Sequence, residues 1–310
     1  MTLNEKLKAG VVGAIIGDAV GVPYEFRSNN EMIFNPCKDM VGYGTYNKPA
    51  GTWSDDSSMI LATLDSVVDK KLDLNKMMLN FIEWQTNGAY TQDGFMFDIG
   101  NTTAFALKEY KNSVNVKICG QKDDWNNGNG SLMRIFPVSV YLYNLYGVNA
   151  FKHEDAVELV KDVSALTHAH EISMEACVIY VSVCLHLLNE EGKDGIIKGL
   201  LEAKDIVKSS AFERLFSKGF FTLPLKELSG NAYVVNTLED ALYIAYNERN
   251  FRESILTAVN LGKDTDTTAS VTGALVGMLY SDAIDIDWIR GVRNIELALV
   301  LCDEFIKNIK

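Results

Sequence analysis

Glycine recurs at every fourth residue in two segments near opposite ends of the sequence. Gly13, Gly17 and Gly21 form the first series, and Gly273 and Gly277 form the second. A glycine inside a helix costs about 1 kcal/mol relative to alanine, so a repeated series needs a structural reason. Residues four apart share one face of a helix, where glycines leave a flat stripe that another backbone can approach closely. We therefore predict two tightly packed helices whose ends come together; the alternative is chance repetition among 23 glycines.

The hydrophobic pattern of the rest of the chain is mostly helical. Apolar residues recur with a period near 3.6 in segments 61–68, 77–84 and 156–166. Segment 176–188 is apolar on nearly all sides, which predicts a helix at the centre of a bundle, and helical patterning continues over 278–309. Strand-like alternation never exceeds about four residues. We predict one all-α domain over residues 1–310, with loops at 35–56, 87–103 and 121–131.

Composition and charge exclude several classes of protein. Apolar residues make up 47% of the chain and charged residues 23%, which excludes a disordered or collagen-like chain. The net charge of −12 argues against a protein that is held on nucleic acid by a general positive field. Five scattered cysteines without a C-x-x-C motif are typical of a reduced compartment and argue against a cysteine-based zinc site. We expect a cytoplasmic protein.

Nothing in the sequence predicts contact with a membrane. No apolar run approaches the ~18 residues of a spanning helix. The first residues imitate a signal peptide, because Lys6 and Lys8 precede the apolar segment 11–16. Glu5 and Asp18 bracket that short segment, so we interpret it as an amphipathic helix. No heptad seam is evident, and we expect a monomer.

Two clusters of carboxylates and hydroxyls stand at predicted helix starts, at 54–58 (S-D-D-S-S) and 264–268 (D-T-D-T-T). Helix capping explains one such residue in each cluster, but the carboxylates exceed what a cap requires. Oxygen ligands of this kind suit Mg²⁺ or Mn²⁺. If the clusters converge, their carboxylates repel unless cations lie between them, which predicts a two-metal site.

Three shorter features are candidates for ligand binding and acid–base chemistry. The polar, glycine-rich stretch 127–131 precedes an apolar run, and its backbone N–H groups suit phosphate; an ordinary loop is the alternative. His168 and His170 stand near a helix start, where they are either core residues or donors to phosphate or ribose. Glu25 lies between two aromatic residues, so it is either a surface residue or a desolvated acid or base with a raised pKa.

Six motifs, taken in order along the chain, resemble the ADP-ribosylglycohydrolase family, the group of the dinitrogenase-reductase-activating glycohydrolase. They span nearly the whole sequence. The motifs are G-A-I-I-G-D-A-V-G-V-P-Y-E-F (13–26), G-T-W-S-D-D-S-S-M (51–59), F-D-I-G-N-T-T (97–103), G-N-G-S-L-M-R (128–134), L-T-H-A-H (166–170) and N-L-G-K-D-T-D-T-T-A-S-V-T-G-A-L-V-G (260–277).

The resemblance implies an all-α domain with two Mg²⁺ or Mn²⁺ ions in a cleft that binds ADP-ribose. The family's metal ligands fall on Ser54, Asp55, Asp56, Asp264, Asp266 and Thr267. Ser54 replaces the usual threonine of the family and keeps a hydroxyl oxygen. The implied catalytic acids are Glu25 and, on the ribose side, Asp98. The implied ADP-ribose contacts are Asp98, Gly128, Asn129, Gly130, Ser131 and His168.

The implied activity is hydrolysis of the glycosidic bond between ADP-ribose and an acceptor, with release of ADP-ribose. The acceptor stays open between arginine, serine, another protein side chain, a nucleic acid base and a small molecule. Either Glu25 or Asp98 is the base. A catalytically inactive, crystallin-like or ADP-ribose-binding relative is one alternative. A haloacid-dehalogenase-like phosphatase is another, since 264–268 fits D-x-D-x-T, but that fold needs a strand before the motif and a long α/β core after it.

Overall fold

The computed structural model describes residues 1–310 and is built almost entirely of α-helices, which confirms the predicted all-α fold. The only sheet is a hairpin of two antiparallel two-residue strands, Val67–Val68 (β1) and Lys71–Leu72 (β2). The helices, in chain order, are Leu3–Gly21 (α1), Asn29–Phe34 (α2), Asp55–Leu64 (α3), Leu74–Asn87 (α4), Asn101–Ser113 (α5), Phe136–Tyr146 (α6), Glu154–Ala165 (α7), Glu171–Leu188 (α8), Gly192–Lys204 (α9), Val234–Asn247 (α10), Phe251–Asn260 (α11), Thr265–Leu279 (α12), Ile286–Gly291 (α13) and Ile295–Ile309 (α14).

The two helices that carry the glycine series, α1 and α12, pack directly on each other in antiparallel orientation. A Cβ atom at Gly17 would lie 2.0 Å from the carbonyl oxygen of Ala269, and one at Gly21 would lie 2.4 Å from the Cα of Asp266. The other glycines of both series make similarly close backbone contacts. The prediction of two tightly packed helices is confirmed. Because the pair is antiparallel, the last turn of α1 lies beside the first turn of α12.

Two helical stretches, Leu3–Tyr24 and Glu171–Leu188, are long and apolar enough to cross a membrane by length and composition alone. The expectation that no apolar run reaches that length is therefore wrong. In the most apolar 18 residues of each stretch, 89% of the first and 78% of the second are buried inside the protein. The interpretation of the first stretch as an amphipathic helix is also wrong, because 15 of the 19 residues of α1 are buried around its whole circumference.

The remaining helices surround this central pair and α8. The predicted central helix at 176–188 is confirmed, and the patterns at 77–84 and 156–166 correspond to α4 and α7. The helical prediction for 61–68 is wrong at its end, since α3 stops at Leu64. Asp69 and Lys70 both have positive φ angles, and the tight turn that they form pairs the β-branched residues of β1 with β2.

The segment before Asp264 excludes the phosphatase alternative. That segment is the helix α11, not a buried strand, and the residues after the motif form helices α12, α13 and α14. The structure therefore lacks the sheet on which a D-x-D-x-T nucleophile would stand. The D-T-D-T-T sequence instead forms the first turn of α12.

Candidate active site

A cavity of about 650 Å³ opens where α1 ends and where α3 and α12 begin. This volume is in the range of small-molecule and cofactor sites. Nine of the thirteen predicted site residues line it, and the other four are buried residues outside its lining. The lining residues are Glu25, Asp55, Asp98, Gly128, Asn129, Gly130, His168, Asp264 and Thr267. The four others are Ser54, Asp56, Ser131 and Asp266.

The two acidic clusters, whose convergence is implied by the family resemblance, meet in this region. The Thr267 hydroxyl on α12 donates to Oδ2 of Asp56 on α3 at 3.1 Å, and the Ser54 hydroxyl donates to the same oxygen at 3.3 Å. The glycine-rich stretch is tied to the second cluster, because the Asn129 side-chain amide donates to Oδ2 of Asp264 at 2.6 Å. Three segments that are distant in sequence thus form one polar centre.

Asp18 holds the start of α3 in place, and sequence reasoning did not identify it as a site residue. Its buried carboxylate accepts the backbone N–H groups of Ser54 and Ser57, each at 3.0 Å, and the Ser57 hydroxyl at 2.5 Å. Burial raises the pKa of Asp18 to about 6, although these hydrogen bonds favour the charged form. A carboxylate within a glycine-striped, apolar helix is the available signal, because a buried charge needs partners.

The donor set of the centre fits hard divalent cations. Carboxylate oxygens of Glu25, Asp98 and Asp266 lie within 4.8 Å of one another. Three buried oxygens have no hydrogen-bond partner: Oε2 of Glu25, Oδ1 of Asp56 and Oδ2 of Asp266. Such oxygens are costly when unpaired, and an oxygen-only set of this kind suits Mg²⁺ or Mn²⁺. The trio joins one predicted metal ligand with both predicted catalytic acids.

Burial raises the pKa of every carboxylate of the centre, and mutual repulsion adds to this effect for several of them. Burial raises the pKa values of Asp55, Asp56 and Asp266 well above the usual range, and neighbouring carboxylates raise them further. Burial, and then the charge of Asp98, raise the pKa of Glu25 to about 8. Of the two alternatives left open for Glu25, the structure therefore favours the desolvated acid over the surface residue. A bound cation would oppose these shifts, since nearby positive charge favours the ionised carboxylates.

Tyr46 lies beside the two predicted catalytic acids, and sequence reasoning does not identify it either. The Tyr46 side chain lies beside both carboxylates: burial, and then the neighbouring Glu25 and Asp98, raise the pKa of its hydroxyl, and its ring centroid lies 5.0 Å from that of Phe97. The ring centroid of Phe26 lies 6.3 Å from that of Tyr46, so Phe26, Tyr46 and Phe97 form an aromatic row. Phe26 adopts a positive φ of 66° and leaves 70% of its surface exposed at the cavity. A left-handed, exposed phenylalanine beside an acid centre is the kind of strained feature found at functional sites.

The glycine-rich stretch forms the opposite wall together with His168. A Cβ atom on Gly130 would lie 2.9 Å from the His168 ring, so only glycine lets the loop approach the imidazole this closely. Gly128 and Gly130 present backbone to the cavity, beside the first residues of α5 (101–103). Their position fits the predicted phosphate contacts.

The side chains of three candidate ligand-binding residues, Asn129, Ser131 and His170, are not available to a ligand in the cavity. The Asn129 side chain is occupied by Asp264 and by Thr237, and the Ser131 hydroxyl contacts the Ser164 hydroxyl at 2.9 Å. Neither side chain is free for a ligand, and the backbone N–H of Asn129 is occupied as well, since it donates to the carbonyl oxygen of Ala232 at 3.1 Å. His170 does not line the cavity: it caps α8 by accepting the backbone N–H of the second helical residue.

Comparison with known proteins assigns the family. The ADP-ribosylglycohydrolase family model matches residues 1–310. This chain belongs to the ADP-ribosylglycohydrolase family. It is therefore an enzyme of the family that hydrolyses glycosidic linkages to ADP-ribose, and the inactive, crystallin-like alternative is not favoured.

Relatives in the family share sequence over most of the chain. ADP-ribosylarginine hydrolase Tri1 of Serratia proteamaculans (strain 568) is 29% identical over 89% of this chain and 72% of its own length. ADP-ribosylarginine hydrolase Tri1 of Pseudomonas putida (strain GB-1) is 30% identical over 93% and 74%, respectively. ADP-ribosyl-[dinitrogen reductase] glycohydrolase of Rhodospirillum rubrum is 25% identical over 93% and 90%.

A solved structure of the family has the same fold. The chain of an ADP-ribosylglycohydrolase-related protein complex superposes with a TM-score of 0.80 and 26% sequence identity. The match covers 99% of both chains. The fold predicted from the six motifs is thereby confirmed.

Proposed function

We propose that this enzyme is a divalent-metal-dependent hydrolase that removes ADP-ribose from modified arginine side chains of proteins. One observation carries the metal dependence: the acidic starts of α3 and α12 meet at one cavity and contain buried oxygens without partners. Two relatives near 30% identity are named ADP-ribosylarginine hydrolases, which supports arginine as the acceptor.

The proposed cations are two Mg²⁺ or Mn²⁺ ions. Their ligands would be Ser54, Asp55, Asp56, Asp264, Asp266 and Thr267, with Glu25 and Asp98 beside them. When bound, the cations supply positive charge and Lewis acidity to ribose hydroxyls and to water. Ser54 fits this role in position, because its hydroxyl already contacts Asp56 within the centre.

The acceptor end of the cavity suits a guanidinium group. Glu25 and Asp98 offer carboxylates, and Phe26, Tyr46 and Phe97 form an aromatic row beside them. Cations interact favourably both with carboxylates and with the faces of aromatic rings. A neutral serine hydroxyl would leave these interactions unused, so the same observation favours arginine over serine.

The proposed reaction replaces a carbon–nitrogen bond by a carbon–oxygen bond. Cleavage of the bond from the anomeric carbon to the arginine nitrogen leaves oxocarbenium character on the ribose, and water attacks that carbon. Glu25 takes a proton from the water and passes it to the departing guanidine, which leaves as guanidinium, so the carboxylate is regenerated. Asp98 holds the ribose, and Tyr46 lies beside both carboxylates.

The acceptor is tested with matched substrates. We would incubate the enzyme with an arginine-ADP-ribosylated and a serine-ADP-ribosylated peptide in Mn²⁺, and measure free ADP-ribose by chromatography. We expect release from the arginine peptide at a rate at least tenfold above that from the serine peptide. Faster release from serine contradicts the proposed acceptor. If neither peptide releases ADP-ribose although the enzyme binds free ADP-ribose, both arginine and serine are contradicted as acceptors, and the result points to a different acceptor.

A further inference from the structure

Arg134 is a fully buried arginine without an acidic partner. Its Nη1 donates to the carbonyl oxygen of Gly130 and to the hydroxyl of Thr167, each at 2.9 Å, and its Nη2 donates to the carbonyl oxygen of Val163 at 3.1 Å. Its Nε has no partner, and its guanidinium stacks on the Phe81 ring at 4.8 Å. All of these partners are neutral. A buried charge without a counter-ion is strongly unfavourable, so its retention needs a reason.

The position of Arg134 suggests that reason. Gly130, which accepts from the guanidinium, belongs to the wall of the cavity. The cavity lining contains one basic side chain, Lys263, and its Nζ donates to the carbonyl oxygen of Ser229 at 2.7 Å. The opposite wall carries the acid centre. Arg134 therefore supplies fixed positive charge directly behind the glycine-rich wall, in a protein whose net charge is −12.

Arg134 also determines which nitrogen of His168 carries the proton. The Thr167 hydroxyl has two partners, Nη1 of Arg134 and Nδ1 of His168 at 2.7 Å. A hydroxyl has one proton to donate, and a guanidinium can only donate. The Thr167 oxygen accepts from Arg134, and its one other hydrogen-bond partner is Nδ1 of His168, so its buried proton is paired only when the hydroxyl donates to Nδ1. The proton of the neutral imidazole must then reside on Nε2.

The Nε2 edge of His168 faces the cavity wall. Nε2 would lie 3.3 Å from a Cβ on Gly130 and 3.7 Å from one on Gly128, and it makes no hydrogen bond within the protein. Burial and the charge of Arg134 lower the pKa of His168 to about 3, so the ring stays neutral at physiological pH. His168 thus presents one N–H donor beside the glycine backbone, where an anion would be placed.

We propose that Arg134 is a positioning residue for the diphosphate of the bound ADP-ribose. It anchors the glycine-rich wall through Gly130 and fixes the Nε2–H tautomer of His168 through Thr167. The diphosphate is the counter-ion that its buried charge lacks. The inference rests on the proposed function only in taking a ligand that contains a nucleoside diphosphate.

The test compares the binding of ADP with that of adenosine, which lacks the diphosphate. We would measure both affinities by calorimetry in Mn²⁺ for the wild type, Thr167→Val and the matched control Thr167→Ser, after checking the folding of each by thermal unfolding. Thr167→Val removes the hydroxyl that links Arg134 to His168. This loss should weaken ADP binding about tenfold, the scale of one charge-assisted hydrogen bond. Adenosine binding should stay unchanged, and Thr167→Ser, which keeps the hydroxyl, should behave like the wild type.

A second measurement tests the tautomer of His168 without any substitution at Thr167. Nitrogen NMR of the four histidines, with His168 assigned from the His168→Gln spectrum, should report an Nε2–H tautomer for His168 in the wild type. An Nδ1–H tautomer overturns the proposal. So does a folded Thr167→Val enzyme that binds ADP as tightly as the wild type, or one that loses ADP and adenosine equally, since that pattern indicates a structural role alone. Absence of ADP and ADP-ribose binding in the wild type would instead contradict the proposed function.

Arg134 itself is tested with Arg134→Lys and Arg134→Met. Both changes break the three-acceptor geometry, and only lysine keeps the charge. We expect Arg134→Lys to lose part of the affinity for ADP and Arg134→Met to lose more, with adenosine affinity unchanged in both. Equal affinities of the folded variants and the wild type for ADP would overturn the assignment. If Arg134→Met fails to fold, the comparison of Thr167→Val with Thr167→Ser and the NMR measurement of the His168 tautomer still test the proposal.

Discussion

At the residue scale, Asp18 organises the acid centre without lining the cavity. Its carboxylate receives three hydrogen bonds from the first turn of α3, the turn that carries Asp55 and Asp56. It therefore fixes two predicted metal ligands in position while standing on α1. Partners of this kind commonly change metal affinity or activity 10- to 100-fold when they are replaced.

We predict that Asp18→Asn weakens Mn²⁺ binding and ADP-ribose release by about 10- to 100-fold each. An amide cannot accept all three donors, because its NH₂ group opposes the backbone N–H groups. Calorimetric titration of Mn²⁺ and a release assay measure the two effects. Asp287→Asn, at an exposed residue of α13, is the control and should change neither. Unchanged Mn²⁺ affinity in a folded Asp18→Asn enzyme would contradict the organising role.

Glu25 and Asp98 are distinguished by a pair of variants. We predict that Glu25→Gln lowers kcat by about 10²- to 10⁴-fold, the usual contribution of a general base, and leaves ADP-ribose affinity within a few-fold of the wild type. Asp98→Asn should mainly weaken ADP-ribose binding, because this residue holds the ribose. Rate measurements and calorimetry on both variants test the assignment, and the reverse pattern would make Asp98 the base.

The sequence predicts the residues of the site better than their supports. Clusters 54–58 and 264–268 are recognisable because carboxylates exceed what helix caps need. Tyr46 and Arg134 have no such local signal, since their roles arise from contacts across loops and helices that only the folded chain creates. Asp18 carries a weak signal as a charge in an apolar helix, but the sequence pattern alone is equally satisfied by a residue that ends an apolar stretch.

At the element scale, the contact between α1 and α12 places the site. The last turn of α1 carries Asp18, and the 3₁₀ turn after it leads to Glu25; the first turn of α12 carries Asp264 and Asp266. Thr265 joins the two helix ends directly, because its hydroxyl donates to the carbonyl oxygen of Gly21 at 2.8 Å. Any change in the spacing of the helices therefore moves the acids relative to one another.

We predict that Gly17→Ala destabilises the enzyme by about 1–3 kcal/mol, the typical cost of overpacking. The added Cβ would lie 2.0 Å from a backbone oxygen of α12, so the helices must separate. Activity should fall beyond what the loss of folded protein explains. Denaturant unfolding measures the free energy, with Gly219→Ala as the control, where the nearest atom lies 4.0 Å away. Equal stabilities of the two variants would contradict the tight packing.

Most elements follow from periodicity, and the errors have physical causes. A buried helix is apolar on all sides, so α1 lacked the one-sided pattern that the amphipathic interpretation assumed. The helical period of 61–68 continues into β1, because Val67 and Val68 fit the apolar pattern of a helix and of a strand equally well. The turn at Asp69 and Lys70 makes them a strand. Glycine spacing identified the central pair where hydrophobic periodicity could not.

At the scale of the whole molecule, concentrating carboxylates in one buried centre makes stability depend on pH and on cations. The folded pKa of Glu25, about 8, lies above its ordinary value of 4.5, and those of Asp55, Asp56 and Asp266 are raised as well. The folded chain thus binds protons more tightly than the unfolded chain. The resulting stability is fully present below the ordinary pKa values and is lost as pH rises through the folded ones.

We predict that the Tm of the EDTA-treated enzyme falls between about pH 5 and pH 8, the window set by the raised carboxyl pKa values. Saturating Mn²⁺ should remove most of this fall, because a bound cation takes the place of the protons. Thermal unfolding across this pH range, with and without Mn²⁺, measures the effect. A Tm of the metal-free enzyme that rises over the same range would contradict the charge distribution described for the centre.

The central claim is that the joined acidic starts of α3 and α12 form a cation-dependent catalytic centre. The most direct measurement is release of ADP-ribose from an arginine-ADP-ribosylated peptide by EDTA-treated enzyme that is titrated with Mn²⁺, in parallel for wild type, Asp266→Asn and Asp287→Asn. We predict no release without metal, saturable activation of the wild type and Asp287→Asn, and none for a folded Asp266→Asn enzyme. Full activity in EDTA, or in Asp266→Asn, would contradict the claim.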